Sequence, residues 1–175
     1  MRHNAKWEPI PQEGDTRDLR QALGCFATGV TVVTTCDPTG QPLGLTVNSF
    51  SSVSLEPALV LWSLVNGSPS RGLFESATHF AINILSAEQM ELCQRFSRPS
   101  EDKFAGLEWQ RGLAGMPLLA GCVAQFECRR EEVIDGGDHR IFLGRVESYR
   151  WSKSDPLVFC QGQLTPWQAR LQEVS

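Results

Sequence analysis

Runs of β-branched and apolar residues, cut at short intervals by Gly, Pro and Ser clusters, set the pattern of this chain. Val30 to Cys36 is one such run, rich enough in Val and Thr to predict a strand. Asp37-Pro38-Thr39-Gly40 has turn chemistry, and the chain returns as a second strand through Leu45 and Val47. Ala58 to Leu64 is nearly continuous in apolar residues, as in a strand buried on both faces, and His79 to Leu85 reads as another strand. Two long β segments, Leu118 to Ile134 and His139 to Trp151, flank Asp135-Gly136-Gly137-Asp138, whose central glycines supply the positive φ angles of a hairpin turn. Pro156 to Gln161 closes as the last strand.

Helical spacing is confined to three short stretches. Thr16 is an N-cap for a helix that carries Leu19, Leu23 and Phe26 on one face and is broken by Gly29. Pro69 opens a short helix through Leu73 and Phe74. Ser86 with Gln89 makes a capping-box pattern ahead of a helix bearing Met90, Cys93 and Phe96. Residues 97 to 117 read as a loop. The total is about six or seven strands and three helices with hairpin links, which favours a mainly β, antiparallel barrel over a doubly wound sheet. Residues 1–15, with Pro9, Pro11 and Gly14, form an irregular arm, and residues 16–175 one domain.

Composition narrows the function. The chain is 41% apolar and 21% charged, with a net charge of −4 and no Lys/Arg stripe, which speaks against nucleic acid as the main partner. Met1 to Pro11 holds no apolar signal core, and no apolar run is long enough to span a bilayer, so a cytoplasmic protein is expected. Six cysteines occur without a Cys-x-x-Cys pair and three widely spaced histidines show no metal-ligand spacing. Neither Gly-x-Gly-x-x-Gly nor Gly-x-x-x-x-Gly-Lys is present, and no Gly-x-Ser-x-Gly elbow or paired carboxylates mark a hydrolytic centre.

Polar groups collect in three places. In Gly44 to Ser54, the side chains of Thr46, Asn48, Ser49, Ser51, Ser52 and Ser54 offer hydroxyls and an amide that can grip phosphate and ring carbonyls without a metal. The same residues serve equally as a Ser-rich connection satisfied by its own backbone. Arg95-Phe96-Ser97 and Asp102-Lys103-Phe104 offer a hydroxyl, a positive charge and an aromatic edge, or an ordinary solvated loop. Gly136-Gly137-Asp138-His139 lets backbone approach a ligand beside an imidazole, or is a plain hairpin tip.

Taken in order, Ala27 to Thr34, Gly44 to Ser54 with Pro57, Phe80 to Leu85, Arg95-Phe96-Ser97 with Asp102-Lys103-Phe104, and Gly137-Asp138-His139 resemble the short-chain flavin reductase family. The match runs from about Leu19 to Pro156. It implies the FMN-binding split β-barrel, antiparallel with Greek-key links, as a homodimer with flavin near the subunit interface. By that resemblance Thr28, Gly29 and Val30 line the ring system, and Thr46, Val47 and Asn48 face its pyrimidine edge and ribityl chain. Ser52 with its neighbours Ser49 and Val53, together with Ser97 and Lys103, holds phosphate. Asn83 and Phe104 complete the wall, and Asp138 with His139 serves NADH or NADPH. The activity implied is hydride transfer from reduced nicotinamide to FMN or FAD, with reduced flavin passing by diffusion to a separate monooxygenase. No general base is required, because the flavin carries the chemistry. A flavin-storing barrel without turnover and an oxidase of the pyridoxamine-phosphate type remain the alternatives. Family members carry a Tyr and basic residues after the last strand, where this chain reads Phe159-Cys160-Gln161-Gly162-Gln163-Leu164, so no tail contact is carried over.

Overall fold

The computed structural model describes residues 16–100 and 102–167. In chain order these form α1 (Arg17–Gly24), β1 (Thr28–Gly29), β2 (Thr31–Cys36), β3 (Pro42–Val47), β4 (Ser51–Leu55), β5 (Ala58–Val65), α2 (Arg71–Ser76), β6 (His79–Ile84) and α3 (Met90–Ser97). There follow β7 (Trp109–Arg111), a 3-10 turn (Leu113–Gly115), β8 (Pro117–Leu119), β9 (Ala124–Asp135), β10 (His139–Trp151), β11 (Leu157–Cys160) and β12 (Gln163–Pro166). The irregular arm expected over residues 1–15 lies outside the described residues.

Seven strands make the main antiparallel sheet in the order β3-β2-β6-β9-β10-β5-β4, with two smaller sheets, β1-β11-β12 and β7-β8, set against it. Closure depends on one serine. The β4–β5 pairing ends at Ser51 opposite Leu61, and beyond it Ser49 Oγ accepts from Ser63 N at 2.9 Å and donates to Ser63 O at 3.0 Å. A hydroxyl thus stands in for a missing strand, ties the segment after β3 to β5 and pairs both backbone groups of Ser63.

The run Thr31 to Thr35 is buried throughout because β2 separates two cores. Val33 joins Trp62, Phe74, Phe80, Ile82 and Phe142 inside the barrel, where the Trp62 and Phe142 rings stack with centroids 4.4 Å apart. Val32 points the other way and packs with Val30, Leu85, Cys93, Phe96 and Leu157 under α3 and the small sheet. Alternation is hidden in the sequence because both faces are apolar.

Several expectations need correction. The strands number twelve among the described residues, since residues 97–117 hold β7 and β8 and a further strand, β12, follows β11. Segment 118–134 is not one strand: β8 ends at Leu119 and β9 starts at Ala124. Thr16 makes no side-chain cap, and its carbonyl alone accepts from Arg20 N. Half of the capping box forms: Ser86 N donates to Gln89 Oε1 at 3.0 Å, but the helix begins only at Met90. In the hairpin only Gly137 has positive φ, at 79°. Most telling, no residue of α1 is buried, and Leu23 and Phe26 are 66% and 78% exposed. Its apolar stripe does not face the barrel of its own chain.

Candidate active site

Val30, Thr46, Val47, Asn48, Cys93, Ser97, Phe159 and Leu164 surround an open cavity of about 300 Å³. The end of β3 and Val30, the α3 helix, and the β11–β12 hairpin build it. The volume lies at the small end of ordinary ligand pockets. Its walls are apolar (Val30, Val47, Cys93, Phe159, Leu164), and its polar edge comes from Thr46, Asn48 and Ser97.

Hydrogen-bond bookkeeping defines what that edge can do. Thr46 Oγ1 donates to Cys93 O at 2.8 Å, which fastens β3 to α3, and Ser97 Oγ donates to Gln94 O at 2.8 Å. With their protons directed to carbonyls, both hydroxyls offer the cavity lone pairs. They suit N–H groups of a planar ring and do not suit phosphate oxygens, which need donors. Beside the cavity, Thr28 sits opposite Phe159 in the β1–β11 register, and its buried Oγ1 has no partner. An orphan hydroxyl next to an apolar slot with acceptors at its rim fits a flavin ring system.

Of the residues expected from sequence, Val30, Thr46, Val47, Asn48 and Ser97 come together here, with Thr28 and Gly29 on the adjoining strand β1. Others go elsewhere. Ser49 is the barrel closure described above. Ser52 and Val53 stand exposed on β4, away from the lining of this cavity. Asn83 is fully buried: its Nδ2 donates to Val32 O and Thr34 Oγ1, and its Oδ1 accepts from Leu119 N and Gln125 Nε2. All its capacity is used inside the core, and it does not line this cavity.

Lys103 and Phe104 line a different cavity, of about 480 Å³, together with Asp37 and Asp102. Lys103 Nζ donates to Phe96 O at 2.9 Å and Gly44 O at 3.4 Å, and burial pulls its pKa below the usual lysine value. The phosphate role expected of Lys103 thus falls in a cavity that also holds two carboxylates, apart from the lining of the apolar slot. Phe104 packs edge-on against Phe96 and Trp109. Sequence reasoning missed Cys93, Phe159 and Leu164 as cavity walls. Leu164 was invisible because its strand was, whereas Cys93 already stood on the predicted helix face with Phe96.

At the far hairpin, Asp138 Oδ1 and His139 Nδ1 lie 2.6 Å apart, and the contact holds the Asp138 carboxyl below the ordinary carboxylate range. Asn66 secures the tip, its N donating to Asp138 O at 2.9 Å and its Nδ2 to Gly137 O at 2.8 Å. The turn is therefore pinned to the end of β5, and the half-exposed imidazole uses Nδ1 on Asp138.

A mainly antiparallel split barrel with this apolar slot defines a class of flavin-handling domains. Residues 23–168 match the family described as "Flavin reductase like domain", and the chain belongs to that family. It is 48% identical over 153 residues to the FMN reductase (NADH) SmoA of Agrobacterium fabrum, covering 87% of each chain. The reductase component of the flavin-dependent trigonelline monooxygenase of Acinetobacter baylyi is 51% identical over 133 residues; these are 76% of this chain and 43% of that protein, so this chain spans under half of that relative's length. Among solved structures, the NADH:FAD oxidoreductase SgcE6 of Streptomyces globisporus, in complex with NAD and FAD fragments, superposes with a TM-score of 0.83 at 36% identity, covering 92% of this chain and 99% of that one. No described helix is long and apolar enough to cross a membrane.

Proposed function

We propose that this chain reduces free FMN or FAD with NADH or NADPH, in the cytoplasm, and releases the reduced flavin by diffusion to a separate flavin-dependent monooxygenase. The observation that carries the reading is the apolar slot with acceptor hydroxyls at its rim and the unpartnered Thr28 Oγ1 beside it. A flavin held there would supply the acceptor for a hydride from reduced nicotinamide. The protein's share is to hold the ring between Val30, Val47 and Phe159, to meet its polar edge through Thr46 and Asn48, and to keep water from the apolar face. His139, oriented by Asp138, meets the nicotinamide cofactor through its free nitrogen. No group near the slot works as a general base, in keeping with a step that moves no proton to the protein.

A homodimer accounts for the bare stripe on α1 and for the exposed β4 edge, where Leu55 is 94% exposed. Bare apolar surface of this kind is what a second copy of the chain would cover. The decisive assay is the loss of NADH absorbance on adding free FMN or FAD. Turnover that depends on free flavin is expected. Tight flavin binding with no turnover would leave a storage protein in place of a reductase.

A further inference from the structure

A second opening, of about 550 Å³, lies between α1 and the turn that joins β11 to β12. Arg17 and Arg20, three residues apart and hence on one face of the helix, line the α1 side with Gly24; Gln161 and Gly162 of the turn line the other. The cleft shares the β11–β12 hairpin with the apolar slot, and one of its charges acts on the Asp138–His139 turn. The hairpin that gives Phe159 and Leu164 to the flavin slot gives its turn to the cleft. On the other side, the Arg20 charge reaches Asp138, where it helps hold that carboxyl ionised.

The charges are placed unusually for a chain of net −4. Arg129 is paired with Glu131 and Glu147, Arg130 Nε donates to Ala77 O, and Arg140 is paired with Glu75 and Asp135. Arg20, in contrast, makes no side-chain ion pair or hydrogen bond among the described residues. The turn opposite is also costly. Gln161 and Gly162 both have positive φ, 50° and 78°, a geometry that prefers Asn or Gly at its first position. Keeping Gln there sets an amide at the cleft lining, while Gly162, with nothing within 4 Å of where a Cβ would stand, leaves backbone open to a flat group.

We propose that this cleft binds the pyrophosphate–adenosine half of a dinucleotide, with Arg20 on the pyrophosphate and Gln161 hydrogen-bonded to the adenosine. The inference rests on the reductase reading and adds the site that would separate FAD from FMN, or anchor NADH. Both dinucleotides carry this half; FMN does not.

Arg20→Glu tests it, since the residue lies on an exposed helix face and the fold can be verified by its melting temperature. Flavin fluorescence quenching gives the Kd of FMN and FAD, and NAD+ is titrated into FMN-loaded protein. A loss of about tenfold or more for FAD, with FMN unchanged within about twofold, supports the site and names FAD as its occupant. The same selective loss for NAD+ supports it and names the nicotinamide dinucleotide. Gln161→Gly, which relaxes the turn, should weaken that same ligand by a smaller factor. Unchanged affinity for both dinucleotides overturns the proposal, as does an FMN loss equal to that of FAD, which would put Arg20 at the FMN phosphate. Failure of the reductase reading itself is seen separately, as wild-type protein that does not oxidise NADH.

Discussion

Asn83 and Asn48 are both amides at the apolar, strand-rich centre of the chain, and the structure uses them in opposite ways. Asn83, on β6, is fully buried and makes four hydrogen bonds to Val32, Thr34, Leu119 and Gln125. Gln125 passes the network on to Arg150, whose Nε donates to its Oε1. Asn48, just past β3, lines the flavin slot, is exposed, and has no hydrogen-bond partner among the described residues. Residue type is the same; only the count of satisfied groups differs. A ligand site is where polar capacity is left over, and a polar core is where it is exhausted.

The largest expected effect breaks the exhausted network. Asn83→Leu removes two donors and an acceptor and strands Leu119 N and Gln125 in the core, costing roughly 3–5 kcal/mol. Urea denaturation should show it as a large fall in midpoint, and any residual folded protein should still bind flavin. Unchanged stability with lost flavin binding would return Asn83 to the site. The next effect lies at the far hairpin. His139→Ala should raise KM for NADH about tenfold and leave flavin Kd within about twofold. Asp138 titrates below its ordinary value because of His139, so its folded pKa is depressed. Its share of turn stability is therefore full above the usual carboxylate pKa and lost only as pH falls through the lower folded value. Between pH 5 and 8 (roughly the working range) Asp138 should contribute no change in KM for NADH. Asn48→Ala comes third: stability within about 0.5 kcal/mol of wild type, and flavin Kd higher by about five- to tenfold. A matching drop in stability would mean that Asn48 is structural after all, and the contrast with Asn83 would vanish.

Much of the fold was legible because local signals agreed with it. The β-branched run at Val30–Cys36, the apolar run at Ala58–Leu64 and the Gly-Gly hairpin fall where β2, β5 and the β9–β10 turn lie. The slot's polar rim at Thr46–Asn48 was legible too, as hydroxyls and an amide at a strand end. What could not be read was satisfaction. Asn83 is silenced by Leu119 and Gln125, 36 and 42 residues further along, and Ser49 by Ser63 across the barrel seam. Short strands fared worst: β7, β8 and β12 have three or four residues each, too few for a period-two pattern to rise above loop composition. With β12 went Leu164, and with it part of the slot wall.

The smallest effect falls on Lys103, where sequence and structure disagree about a charge. A lysine after a Ser-bearing loop is the natural phosphate ligand, whereas here its ammonium is turned to two backbone carbonyls. Burial lowers the Lys103 pKa, so the protein alone penalises the ammonium. The ammonium is held instead by the carbonyls of Phe96, at the end of α3, and Gly44. Because the folded pKa is depressed relative to the unfolded chain, Lys103 weakens the fold below that pKa, and the penalty is relieved as pH rises towards the ordinary lysine value. Lys103→Met removes the buried charge and also two modest hydrogen bonds, opposing terms that should leave a net change of about 1 kcal/mol or less. FMN affinity should hold within about twofold, measured by fluorescence quenching. A tenfold fall in FMN affinity at unchanged stability would show the lysine reaching phosphate, and would move the flavin's tail from the slot's rim to the acidic cavity beside Asp37 and Asp102.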